Sequence, residues 1–191
     1  MTRAEATVQA KWNAIGLPPS AIVVMGVSGC GKTTLSNDLA AYLGCPAFEG
    51  DDFHAPASVA KMRAGRPLDD GDRWPWLDRL GAAIGTAVRD HRLAVAACSA
   101  LKRSYRERLE QAAGVPLLFV LLDGTREEIA AHLAGRKSHY MPPSLLDSQF
   151  ATLERPGADE RATILHCYAP IEVLRGEVVA WAQSGILQTA R

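Results

Sequence analysis

The chain has 191 residues, with 21 basic (Lys and Arg) and 21 acidic (Asp and Glu) side chains and a formal net charge of zero. That length suits one domain with a substantial core, and balanced charge without a long basic stripe argues against nucleic acid as the main partner. No run approaches the roughly 20 apolar residues of a membrane span, and the N-terminus lacks a charged-then-apolar leader. Four dispersed cysteines (Cys30, Cys45, Cys98, Cys167) without a C-x-x-C pair predict a reduced, cytoplasmic enzyme with unpaired thiols.

In chain order, residues 1–20 read as a peripheral extension, with Val8, Trp12 and Ile15 on one side of a short helix before Gly16-Leu17-Pro18-Pro19. Ala21-Ile22-Val23-Val24-Met25 is an apolar run suited to a buried strand. It leads directly into Gly26-Val27-Ser28-Gly29-Cys30-Gly31-Lys32-Thr33, a complete G-x-x-x-x-G-K-[ST] phosphate-binding loop. Leu35, Leu39 and Leu43 follow at helical spacing. In that strand–loop–helix context the glycines turn backbone N–H groups inward around phosphate oxygens, and the helix N-terminus adds partial positive charge. Gly26 to Thr34 are therefore the nucleotide-binding residues, with Lys32 on the β- and γ-phosphates and the Thr33 hydroxyl on Mg²⁺. The chain is expected to bind a nucleoside triphosphate.

A short strand at 46–48 precedes the acidic Glu49-Gly50-Asp51-Asp52, and a helix spans 58–64. Residues 67–73 read as a polar turn, and Leu77, Leu80, Ile84 and Val88 predict a helix over 76–91. A strand at 93–98 and a helix at 101–112 follow. Leu117 to Leu122 is six consecutive apolar residues, the signature of a fully buried parallel strand. A helix at 125–133, an irregular polar stretch at 136–149 around Pro142-Pro143, a strand near 163–165 and a helix over 170–181 complete the pattern. Alternating strands and helices imply an α/β three-layer fold: a five-stranded parallel sheet with helices on both faces and a small lid.

Three clusters bear on what happens to the nucleotide. Ligands gather beyond the carboxyl ends of parallel strands, where Glu49, Asp51 and His54 fall. There an acid orients an acceptor hydroxyl, or holds Mg²⁺ through water. Asp69 to Leu77 puts Arg73 among acids and just before two indoles, Trp74 and Trp76. It suits a helix start with Asp72 near the N-cap, or a grip on a polar substrate. Cys98 to Arg106 places Lys102 and Arg106 at i, i+4 on one helical face, able to receive an anion or simply to be solvated.

Taken in order, these segments resemble the gluconate kinase (gluconokinase) family, related to shikimate and nucleoside monophosphate kinases. The pieces are Gly26 to Thr34, Gly50-Asp51 with His54, Lys61-Met62, Gly65 with Pro67-Leu68, and Asp70 with Asp72-Arg73 and Pro75-Trp76-Leu77. They continue with Cys98 to Lys102, Tyr105-Arg106, Arg136 with His139, Gln149-Phe150, Thr152-Leu153-Glu154 and Pro156-Gly157-Ala158-Asp159. The resemblance covers roughly residues 22–179. It departs at Ala55, where proline is usual, at Ser58 and Asp69, and before the last helix, where His166-Cys167-Tyr168 stand in place of an acid; adenine recognition stays unassigned.

The resemblance implies ATP-dependent phosphorylation of D-gluconate at its 6-hydroxyl in one kinase domain over residues 21–191. A substrate-binding helical segment would span about 51–76 and a lid about 136–149. Asp51 would orient and deprotonate the hydroxyl, with Lys32 and the lid residue Arg136 as the other catalytic groups. Asp51, His54, Arg73, Lys102 and Arg106 would bind gluconate, since a polyol carboxylate needs cations and hydrogen-bonding groups. Thr33, and Glu49 through water, would hold Mg²⁺. A homodimer is also implied, with no nucleic acid and no membrane. Two other readings compete: the same fold acting on shikimate or another sugar acid, and a nucleotide switch in which Asp123, ending the 117–122 strand, holds the metal. The second lacks an N-K-x-D or L-S-G-G-Q segment.

Overall fold

The computed structural model describes residues 16–134 and 143–189. Five strands, β1 (Ser20–Met25), β2 (Ala47–Glu49), β3 (Leu93–Ala97), β4 (Leu117–Asp123) and β5 (Ala162–His166), form one sheet in the order β2-β3-β1-β4-β5. Every pairing is parallel. The helices are α1 (Lys32–Leu43), α2 (Pro56–Arg63), α3 (Asp70–His91), α4 (Arg103–Ala113), α5 (Arg126–Ala134), α6 (Pro143–Thr152) and α7 (Ile171–Thr189), with a 3₁₀ turn at Gly50–Phe53.

β1 is central and every residue of it is buried. Because strand side chains alternate in direction, Ile22 and Val24 enter one core with Leu35, Leu39 and Leu43 of α1 and Leu174 and Val178 of α7. Ala21, Val23 and Met25 enter the other, with Leu77, Leu80, Ile84 and Val88 of α3 and Leu109 of α4. Helices therefore cover both faces, as the alternating pattern predicts. On the second face α3 and α4 approach closely through Gly81, where an added Cβ would lie 2.6 Å from the Ala112 methyl. No described helix is long and apolar enough to cross a membrane.

Two elements differ from the sequence reading. α3 begins at Asp70, six residues before the expected start. Asp69 caps it: its side chain accepts from the Asp72 N–H (2.9 Å), and Asp72 accepts from the Asp69 N–H (3.0 Å). This reciprocal box satisfies two orphan donors and carries the helix across Pro75. The stretch around Pro142-Pro143, expected to be irregular, contains α6. Proline is tolerated at the first helical position, where its missing N–H has no intrahelical partner.

Candidate active site

All five strands end at one edge of the sheet, and the loops leaving β1, β2 and β3 meet there. Gly26 has φ 134° and an added Cβ would sit 2.7 Å from the Leu122 carbonyl oxygen; Gly31 caps α1 at φ 96°. A side chain at Gly26 would collide with that backbone oxygen, and at both positions the positive φ is one that residues with a Cβ rarely adopt. The loop so formed leads into the N-terminus of α1, whose free N–H groups suit phosphate oxygens. The Lys32 ammonium donates to the Val27 carbonyl at 3.0 Å, folded back across the loop. Cys30 is buried, and desolvation raises its thiol pKa; among the described residues all four cysteines are free.

Beside the loop, the Thr33 hydroxyl donates to Glu49 Oε2 at 2.6 Å, joining the first turn of α1 to the end of β2. Two exposed hard oxygens at the phosphate-bearing end of a loop fit Mg²⁺, which keeps several waters and binds through few protein groups plus substrate phosphates. No cluster of three or more His, Cys, Asp or Glu able to cage a metal occurs among the described residues.

The chain then turns through Gly50–Phe53. Asp51 is 85% exposed, and its Oδ1 lies 3.9 Å from His54 Nε2. His54 is stacked on Trp76, with ring centroids 4.3 Å apart and planes 16° from parallel, and Trp76 Nε1 donates to the Gly50 carbonyl at 2.7 Å. Arg79 also grips this turn, donating twice to the Phe53 carbonyl (3.0 and 2.8 Å). The acidic turn is thus pinned to α3 from both sides. Burial lowers the His54 pKa against the opposing pull of Asp51, keeping the ring neutral near pH 7, and Nδ1 is buried without a partner.

A second polar group sits where the start of α3 meets the start of α4. Asp70 accepts from Lys102 Nζ (3.0 and 3.2 Å) and from the Tyr105 hydroxyl. Arg73 Nη1 donates to the Leu68 carbonyl (2.6 Å) and to the Tyr105 oxygen (3.2 Å). Its Nε and Nη2 have no partner among the described residues. Hydrogen bonds from Tyr105 and Lys102 hold the Asp70 carboxyl below the usual carboxylate range.

The chain matches the family described as an AAA domain over residues 22–156. A gluconokinase of Gluconobacter oxydans (strain 621H) is 51% identical over 146 residues, covering 76% of this chain and 82% of that protein. This chain belongs to the gluconokinase family. The thermosensitive gluconokinase of Escherichia coli (strain K12) is 42% identical over 86% of this chain and 90% of its own length. The crystal structure of a gluconokinase from Sinorhizobium meliloti 1021 superposes with a TM-score of 0.78 at 39% identity, over 91% of this chain and 98% of that one.

Within this family frame the structure brings the loop, Glu49, Asp51, His54, Arg73 and Lys102 to the same edge, and it removes Arg106. Expected beside Lys102 on an exposed helical face, Arg106 is 2% exposed. Its Nε and Nη2 bind the two oxygens of Glu160 (2.6 and 2.9 Å), and Nη1 donates to the carbonyls of Ala100, Leu101 and Glu154. All three guanidinium nitrogens are engaged, so Arg106 is a buried strut between α4 and the 154–160 loop, not a substrate ligand. Lys102 is not on the helix at all; it is the extended N-cap of α4 (φ −95°, ψ 151°), and that bend turns it toward Asp70. Asp123, the candidate switch acid, is held by Arg155 at 2.8 and 3.1 Å. Arg136, Lys137 and His139 lie outside the described residues. Sequence reasoning missed Asp70 and Tyr105 as site residues, although both stood within the segments that carry the resemblance.

Proposed function

We propose that the protein transfers the γ-phosphoryl group of ATP to the 6-hydroxyl of D-gluconate, giving 6-phospho-D-gluconate and ADP. Membership in the gluconokinase family carries this reading, and the residue arrangement supports it. The loop N–H groups and Lys32 take the phosphate chain, Lys32 exchanging the Val27 carbonyl for phosphate oxygens. Mg²⁺, when bound, neutralises phosphate charge, with Thr33 and, through water, Glu49 holding it. Asp51, exposed at the mouth and two residues beyond Glu49, orients the attacking hydroxyl and accepts its proton.

The acceptor's far end needs a cation. Arg73 offers two unengaged nitrogens, a fork that matches a carboxylate. Lys102 is already neutralised by Asp70, so its contribution goes to gluconate hydroxyls together with that acid. Neutral His54 holds a further hydroxyl. Arg136 completes the set from the lid at about 136–149, and the segment 51–76 forms the acceptor side. The residues that precede β1 are an extension to this kinase unit, which begins with the strand at Ser20. A cytoplasmic homodimer is part of the same proposal.

A coupled ADP-release assay over a panel of polyol acids tests the reading. Mg²⁺-dependent turnover with gluconate, far above shikimate and other sugar acids, is the expected result. Turnover of another small alcohol with gluconate ignored would refute it.

A further inference from the structure

The phosphate loop is touched from outside by two helices whose contacts none of the roles above uses. A Cβ on Gly29 (φ 90°) would sit 2.8 Å from the Leu133 side chain of α5. One residue earlier, the Ser28 N–H donates to Gln149 Oε1 of α6 at 2.6 Å, across 121 residues of sequence. A backbone N–H only donates, so the amide oxygen must face Ser28 and the –NH₂ must face away from it. That –NH₂ carries two donors and has no partner among the described residues, while lying on the same carbon as an oxygen already at the loop. Donors without a protein partner, beside a row of loop N–H groups facing phosphate, share the chemistry of that row.

We propose that Gln149 is a nucleotide-binding residue: its amide oxygen fixes the Ser28 peptide at the loop mouth, and its amide nitrogen donates to the phosphate chain. The two halves of one side chain thereby set the loop and extend it by one donor. The inference rests on nucleotide binding at this loop and deepens it.

The test measures ADP and ATP affinity by calorimetry with Mg²⁺, and KM for each substrate, in wild type, Gln149→Leu and Gln149→Glu. Gln149→Leu should weaken both nucleotides by about 10- to 100-fold, the factor carried by a hydrogen bond to a charged group. KM for gluconate should stay within about twofold. Gln149→Glu keeps an acceptor for Ser28 but loses the donors and faces the phosphates with like charge, so it should bind nucleotide more weakly than Gln149→Leu. If Gln149→Glu instead restores wild-type affinity, the residue only braces the loop and the donor role is wrong. Unchanged or tighter binding in Gln149→Leu overturns the proposal entirely. Should Gln149→Leu fail to fold, as judged by thermal melting without ligand, the Gln149→Glu result decides alone: affinity at the wild-type level overturns the donor role, and a loss supports it. Failure of wild type to bind ADP would strike the nucleotide reading itself, which separates the two outcomes.

Discussion

The two sides of the site are built from different materials. On the nucleotide side, a fully buried strand, a glycine turn without room for side chains and a helix N-terminus fix the geometry through backbone. The proposed acceptor side is assembled from side chains at and beside α2, α3 and α4: the Lys61–Asp72 contact at 2.5 Å, the Asp70–Lys102 pair and the His54–Trp76 stack. Backbone geometry tolerates little change and suits a ligand shared by many enzymes. Partly exposed ion pairs such as the first two are individually weak and exchange partners readily, which suits a region that must recognise one polyol and release its product. Arg106 belongs to neither side; it is the buried link that holds the base of α4 to the loop carrying Glu160.

Substitutions can break this contrast in order of size. Asp51→Asn removes the proposed proton acceptor without altering volume, and kcat should fall about 10²- to 10⁴-fold while ADP affinity is retained; calorimetry and steady-state kinetics on one preparation check both. Next comes Arg106→Leu, which leaves the Glu160 carboxylate 11% exposed and without its cation. A loss of about 3–5 kcal/mol in urea unfolding is expected, with gluconate KM near normal in the folded fraction. A large gluconate KM effect without loss of stability would return Arg106 to the substrate. Arg73→Gln should raise KM for gluconate by about 10- to 100-fold and leave KM for ATP nearly unchanged, sharpening the division between the two sides.

The smallest effect concerns pH. His54 is buried against Trp76 and faces Asp51, Arg73 and Arg79; burial, the largest influence, lowers its pKa. The unfolded chain therefore takes up the proton first as pH falls below about 6.5, and stability present above that value is lost on acidification toward the lowered folded value. The urea midpoint should drop across this window, and His54→Gln should flatten the His54 contribution. An unchanged profile in the variant would mean that burial of the ring contributes nothing to the pH response.

Much of this was legible in sequence because the relevant interactions are local. Six apolar residues in β4, the glycine loop and the leucine spacing of α1 each specify their element within about ten residues, and the parallel sheet follows from their alternation. What escaped was non-local or lay in competing signals. The apolar spacing that marks α3 begins only at Leu77, yet the helix starts upstream at a capping box, and Pro143, in a stretch read as irregular, opens a helix. Arg106 reads as a surface cation because Glu160, its partner, is 54 residues away. Gln149 and Ser28 are farther apart still, and nothing in an S-Q-F segment announces a contact with the phosphate loop.

Transfer between the Lys32 phosphate seat and the Asp51 carboxylate is the central step of the proposed reaction. The direct measurement is ³¹P NMR of reactions containing ATP, Mg²⁺ and gluconate, with wild type and Asp51→Asn compared at equal nucleotide occupancy. A phosphate monoester on the terminal primary carbon of gluconate with wild type, and almost none with Asp51→Asn, is the predicted result. Inorganic phosphate as the main product of wild type, or Asp51→Asn turning over at the wild-type rate, would contradict it.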